Sequence, residues 1–181
     1  MPIGPLMIEH RLIERVIREM GRHVARFRAE QTADPAFIDA ALDFIRTYAD
    51  RCHHGKEEDI LFRDLAKKDL SHEHGSIMRE LIDEHALGRT TTGALADAAA
   101  RYGKNDPHAL AEIIEAMSLL TDFYPKHIEK EDRRFFLPAM SYFSRHEQDA
   151  MLAEMNEFDR NLIHDLYRRV VERLEKSHGS G

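Results

Sequence analysis

Apolar residues recur along this chain at intervals of three and four, over windows far longer than a strand would occupy. Leu6, Ile13, Val16, Ile17, Met20, Val24 and Phe27 form one stripe and predict a helix over about residues 6–29. Asp34 and Pro35 then read as an N-cap followed by proline at the first helical position. Phe37, Ile38, Ala41, Leu42, Ile45, Tyr48 and Ala49 carry that second helix to about residue 64. Ser71 opens a third, with Ile77, Met78, Leu81, Ile82 and Ala86 as its stripe, which stops near Gly103. Asn105, Asp106 and Pro107 repeat the cap-plus-proline signature. Leu110, Ile113, Ile114, Met117, Leu120, Phe123 and Tyr124 then predict a fourth helix ending near Phe136, with Pro125 expected to kink or open it. Ser144 and Glu147 make a capping box. Met151, Met155, Phe158, Leu162, Leu166, Val170 and Leu174 mark a fifth helix to about residue 176.

Alternating apolar and polar runs are short, so strands are not expected. The links are too short for a crossover, so neighbouring helices should run antiparallel. The pattern predicts an all-α fold and one domain over 1–181. It is an up-down-up-down four-helix bundle over about 5–137 with an additional C-terminal helix over about 145–176.

Composition narrows the function. A chain of 181 residues with 43% apolar and 33% charged positions suits one globular domain. A single cysteine, Cys52, excludes an internal disulfide framework and a Cys-rich zinc or iron–sulfur site, and suits the cytoplasm. A net charge of −7 argues against nucleic acid as a partner. No stretch approaches 18 uncharged apolar residues, and the N-terminus lacks a basic segment before an apolar one, so neither a membrane span nor a secretory signal is expected. No Gly-rich phosphate loop, Ser/His/Asp order or Cys/His nucleophile arrangement is visible.

The 12 histidines change the picture. His53, Lys56, Glu57 and Phe62 recur, 74 residues on, as His127, Lys130, Glu131 and Phe136. Histidine and glutamate four apart lie one turn apart on one helix face, where they can serve one metal centre. Taken alone, the first segment offers His53 with Glu57 or His54 with Glu58. Aligned to the second, His53 and Glu57 match His127 and Glu131, while His54 falls opposite Ile128, which suggests packing or support. His54 and Glu58 stay as alternates.

Counted from the connecting links at about 1.5 Å per residue, His10 stands level with His53, and His85 with His127. Glu57 and His85 differ by nearly two turns on the predicted boundaries, the weakest match of the three. The candidate set is His10, His53, Glu57, His85, His127 and Glu131. Four imidazoles and two carboxylates, with no thiolate, suit iron, and manganese or zinc could enter. Six side chains exceed the needs of one tetrahedral zinc. They suffice for two metals bridged by both carboxylates and by a water-derived oxygen, each with room for a small ligand.

Among the other candidates, Tyr48 and Tyr124 could face a bound oxygen species or pack. Cys52 reads as a small buried side chain beside His53, and Arg89 as a partner for a carboxylate on a neighbouring helix. His72 and His74 sit near a link, and His23, His108, His146, His164 and His178 read as solvent-facing or capping.

These motifs resemble the haemerythrin-like family, the cation-binding domains named for His-His-Glu. The likeness covers about residues 5–137. It rests on the His10 segment, on His53 to Glu58, on Asp83, Glu84 and His85 with Arg89, and on His127, Lys130, Glu131 and Asp132. The resemblance implies a non-haem di-iron centre in a four-helix bundle, two iron ions with an oxo or hydroxo bridge, the two glutamates bridging or capping them, and reversible chemistry with dioxygen or a related oxidant.

The chain departs from the oxygen-carrying members. Leu81 stands where a second histidine precedes His85 by four, and the last motif is His-x-x-x-Glu. One nitrogen ligand is thereby missing. That points to sensing, storage or peroxide reaction rather than carriage. Glu58 is a spare carboxylate, and Glu84 a surface or supporting group. The expected partner is a diatomic or peroxide ligand, and a homodimer is left open. A peroxide-degrading or oxidase-type enzyme is the second reading. A non-catalytic iron-binding module that uses the fifth helix as an interface is the third.

Overall fold

The computed structural model describes the backbone of residues 1–178 and the side chains of residues 1–162. Helix α1 is Ile3–Glu30, ended by Gln31 in the left-handed region. Helix α2 occupies 35–65 in pieces: α-helical Pro35–Phe44, π-helical Ile45–His54 and Glu57–Phe62, then a last turn Arg63–Leu65. Helix α3 is His72–Tyr102. Helix α4 occupies 109–142, with Ala109–Lys130 followed by a π-helical Glu131–Phe135 and short closing turns. Helix α5 is Arg145–His178. The fold is an all-helical bundle with an additional C-terminal helix, and no strand occurs among the described residues.

The caps explain where the rods begin. The Asp34 carboxylate accepts the Phe37 N–H at 3.2 Å with Pro35 in the first turn, and the Ser71 hydroxyl accepts the His74 N–H at 3.2 Å. Ser144 donates its N–H to the Glu147 carboxylate at 2.8 Å, and Glu147 donates its own to Ser144 Oγ at 3.3 Å, a complete capping box. The 105–107 signature behaves differently. Asn105 adopts φ 63°, and Asp106 accepts the His108 N–H at 2.9 Å. This turn delays the helix to Ala109. Helix α4 runs unbroken through Pro125, and its hydrogen-bond register changes only at Glu131.

Two apolar clusters fill the bundle. One contains Ile13, Met20, Phe27, Ile38, Leu95, Ile113 and Met117. The other contains Leu6, Phe62, Leu65, Leu81, Phe135, Phe136, Met151 and Met155. Between them lie seven buried histidine and glutamate side chains from α1–α4. Apolar clusters thus flank the histidine and glutamate layer on both sides.

Helix α5 belongs to this packing. Met151 and Met155 are buried in the second cluster, and Phe158 packs on it. Arg63–Glu154 at 2.7 Å and Lys68–Glu147 at 2.6 Å fasten the helix to the end of α2 and the turn after it. The predicted stripe continues through Leu166, Val170 and Leu174, which lie outside the described side chains, as do His164 and His178.

Candidate metal centre

The polar layer consists of His10, His53, His54, Glu57, His85, His127 and Glu131, each at most 2% exposed. They form two groups. Donor atoms of His10, His53, Glu57 and Glu131 all lie within 4.8 Å of one another, and so do those of His54, His85 and His127.

The two carboxylates straddle the groups. Glu57 presents Oε1 to His53 Nε2 at 3.3 Å and Oε2 to His85 Nε2 at 3.4 Å. Glu131 presents Oε2 to His10 Nε2 at 3.1 Å and Oε1 to His127 Nε2 at 3.3 Å, with His85 Nε2 at 3.7 Å. None of these approaches is aligned as a hydrogen bond. Nε2 of His10, His53, His85 and His127 and all four carboxylate oxygens are buried without a hydrogen-bond partner. An orphaned buried polar atom costs about 1–3 kcal/mol, so eight converging ones call for an occupant. Two donors about 2.1 Å from one octahedral ion, at right angles, stand about 3 Å apart, which is close to the spacings seen here. The donor set fits a pair of metal ions.

The outer nitrogens are served by carboxylates. His10 Nδ1 donates to Asp132 at 2.7 Å, His53 Nδ1 to Glu9 at 2.9 Å, His85 Nδ1 to Glu58 at 2.7 Å and His127 Nδ1 to Glu84 at 2.7 Å. His54 Nδ1 stands 3.5 Å from Asp50. Each carboxylate meets a cation in turn: Arg11 on Asp132, Lys56 on Glu9, Arg89 on both Glu58 and Asp50, and Lys130 on Glu84. Such partners fix the ring orientation and strengthen the imidazole as a donor.

Electrostatics follow from burial against charge. Burial and the neighbouring His10 hold His53 well below the usual histidine range, and burial and His85 do the same for His54. Burial alone would lower His10, but the Asp132 and Glu131 carboxylates outweigh it and raise it to about 9. Burial and the facing Glu131 push Glu57 well above the carboxylate range. Burial would also raise Glu131, yet His127 and His10 hold it well below. Without an ion, the layer therefore keeps one carboxylate charged and two imidazoles neutral.

The structure brings all six predicted residues into this layer and adds His54. His54, which the sequence leaves either as an alternate ligand or as packing or support, stacks its ring on His85 at 3.9 Å and has a donor atom grouped with those of His85 and His127. Neighbours on an α-helix diverge by about 100°. Here the backbone closes to the fifth residue back across 45–54, which crowds more residues into the turn. With His54, five imidazoles line the layer. Glu58 stands outside it, holding His85.

Glu57 and His85, the weakest level match, nevertheless meet at 3.4 Å. Among the remaining candidates, His23 is half-buried and stacks on Phe37 at 3.5 Å. His74 bonds Tyr142 at 2.7 Å, and Cys52 is half-buried, donating to Asp159 at 3.3 Å. Burial pushes the Cys52 thiol up to about 12, which leaves it protonated and unreactive near neutrality. The residues that sequence reading missed are Glu9, Asp50, Lys56 and Asp132 in their supporting roles. Their signal was an acid or base beside each histidine motif, though each acid except Asp50 serves a ring on another helix.

Comparison with curated proteins and with solved structures gives no match. The family profile described as Hemerythrin HHE cation binding domain matches residues 1–139, which hold all seven residues of the layer. With that match over most of the chain, and His/Glu groups that could hold a metal, the chain belongs to the hemerythrin HHE cation-binding domain family.

Proposed function

We propose that this chain is a non-haem di-iron protein that binds dioxygen, nitric oxide or peroxide, for sensing, storage or protection. The observation that carries this reading is the set of eight buried, unpartnered donor atoms, with each glutamate divided between two histidine groups. His10 and His53 would hold one ion, His54, His85 and His127 the other, and Glu57 and Glu131 would span both. Nitrogen with carboxylate suits iron, and manganese or zinc are the competing ions. Bound iron would supply reversible electron transfer and a position for a small ligand.

The protein's own residues do the rest. Glu57 and Glu131 bring compensating negative charge to a dry interior. The carboxylates on the outer nitrogens hold the rings with Nε2 of His10, His53, His85 and His127 inward. Phe136 stacks on His10 at 5.6 Å, Phe62 on His85 at 5.9 Å and Phe123 on His127 at 5.2 Å, and these rings exclude water. The His10/His53 end has one imidazole fewer, so an ion held there would have more room for a small ligand. A cavity of about 250 Å³ between α2 and α3, lined by His54, Gly88, Arg89 and Tyr124, opens beside the other group of the layer, the one with His54. No described helix is long and apolar enough to cross a membrane; with a free Cys52 thiol, this supports a cytoplasmic setting.

Protein purified aerobically from iron-replete cells should carry two irons per chain and show ferric charge-transfer absorption that shifts on adding azide. Iron well below one per chain, with no such absorption, refutes the proposal.

A further inference from the structure

The two halves of the bundle repeat each other down to their supporting residues. Glu9, beside His10, holds His53; Glu84, beside His85, holds His127. Lys56 meets Glu9 as Lys130 meets Glu84. The halves then diverge at one place. Lys130 is completed by Glu80, more than half exposed at the surface of the bundle. Lys56 is 0% exposed, and its second partner is Asp159 of α5, at 2.8 Å, beyond the 1–139 span of the family match.

A buried ammonium needs its counter-charges, because removing one partner of a buried pair strands the other. Asp159 is thus what allows Lys56 to be sealed in the bundle. Lys56 in turn fixes Glu9, whose other oxygen accepts the outer nitrogen of His53. Helix α5 is brought to this depth by Gly55. A Cβ there would lie 2.8 Å from Phe158 Cζ, so the ring of Phe158 sits directly on the backbone next to His54. Glu9, Cys52 and Asp159 also present three ligand-type atoms to one another. The Lys56 ammonium bonds Glu9 and Asp159, so this is an ion-pair node rather than a further cation site.

We propose that Asp159 is a positioning residue for His53, acting through Lys56 and Glu9, so that the fifth helix is a working part of the metal centre. The inference rests on the two-ion reading above. It assigns Asp159 to one ion only, the one at the His10/His53 end.

Cobalt(II) titration of metal-free full-length protein, followed by visible bands and by calorimetry, tests it. Wild type should take up two equivalents. Asp159→Ala should weaken one of them about tenfold and alter its bands, as loss of an outer partner does, while the other is unchanged. Asp159→Glu should restore uptake, and Glu9→Gln should remove any further effect of Asp159→Ala. Asp159→Asn, nearly the same size, reads the charge alone should the alanine variant fold poorly. Glu154→Ala, which loosens α5 from Arg63 without touching Lys56, should leave both equivalents as in wild type. Unchanged uptake in both Asp159→Ala and Asp159→Asn overturns the inference, as does equal weakening of both equivalents or a matching effect of Glu154→Ala. Wild-type protein that takes up no cobalt overturns the two-ion reading, and this inference with it.

Discussion

Replacing His54 with alanine separates a ligand from a packing side chain. His54 is 2% exposed, and a donor atom of its ring lies within 4.8 Å of those of His85 and His127. If those three imidazoles hold one ion, the variant leaves that ion with two, while His10, His53 and both carboxylates are untouched. Structural zinc sites derive about 10–16 kcal/mol from four ligands, so one donor contributes about 3 kcal/mol. At about 1.4 kcal/mol per decade, the affinity of one equivalent should fall about 100-fold. Calorimetric titration of metal-free protein against a competing chelator reads this directly. The same experiment on His53→Ala should weaken the other equivalent. Were His54 only packed against His85, the loss would appear as a lower melting temperature of the metal-free protein, with both affinities intact. Two equivalents retained within threefold of wild type would refute the assignment.

Metal-free protein should lose stability toward alkaline pH. His10 sits near 9 when folded against an ordinary 6.5; its contribution, about 3 kcal/mol, is complete below pH 6.5 and gone once pH has passed 9. Urea midpoints between pH 6 and 10 check this, and a midpoint that rises toward pH 9 contradicts it. Gly55→Ala should cost about 1–3 kcal/mol, because its Cβ meets Phe158 Cζ at 2.8 Å. Urea unfolding that shows no loss would mean that α5 yields freely at this point.

The rods were legible because each is written twice, in its apolar stripe and in its cap. Asp34, Ser71 and the Ser144–Glu147 box cap where the sequence places them. The Asn105 turn was not, because a left-handed asparagine and an Asx bond are decided by the loop rather than by the stripe. Four of the six residues were legible from the internal echo, and His10 and His85 from their level along the neighbouring helices. His54 was legible only as an alternate to His53, for two reasons. It has no counterpart in the second half, where Ile128 stands, and a reading at α-helical spacing cannot anticipate a π-helical turn. The supporting acids sit next to the motifs in sequence, yet Glu9, Glu58, Glu84 and Asp132 serve rings on other helices, a pairing that only the packed bundle reveals.

The straddling of Glu57 and Glu131 has a mechanical consequence. Helices α1 and α2 supply both histidines of one group, and α3 and α4 supply two of the three in the other. The layer thus divides by chain order, one group drawn mainly from the first two helices and the other mainly from the next two. Three side chains trespass across the seam between these groups: one glutamate from each side, and His54. Cargo in the seam would clasp the groups together, much as a shared ion clasps two subunits. Its departure would slacken all four rods at once rather than one corner of the fold.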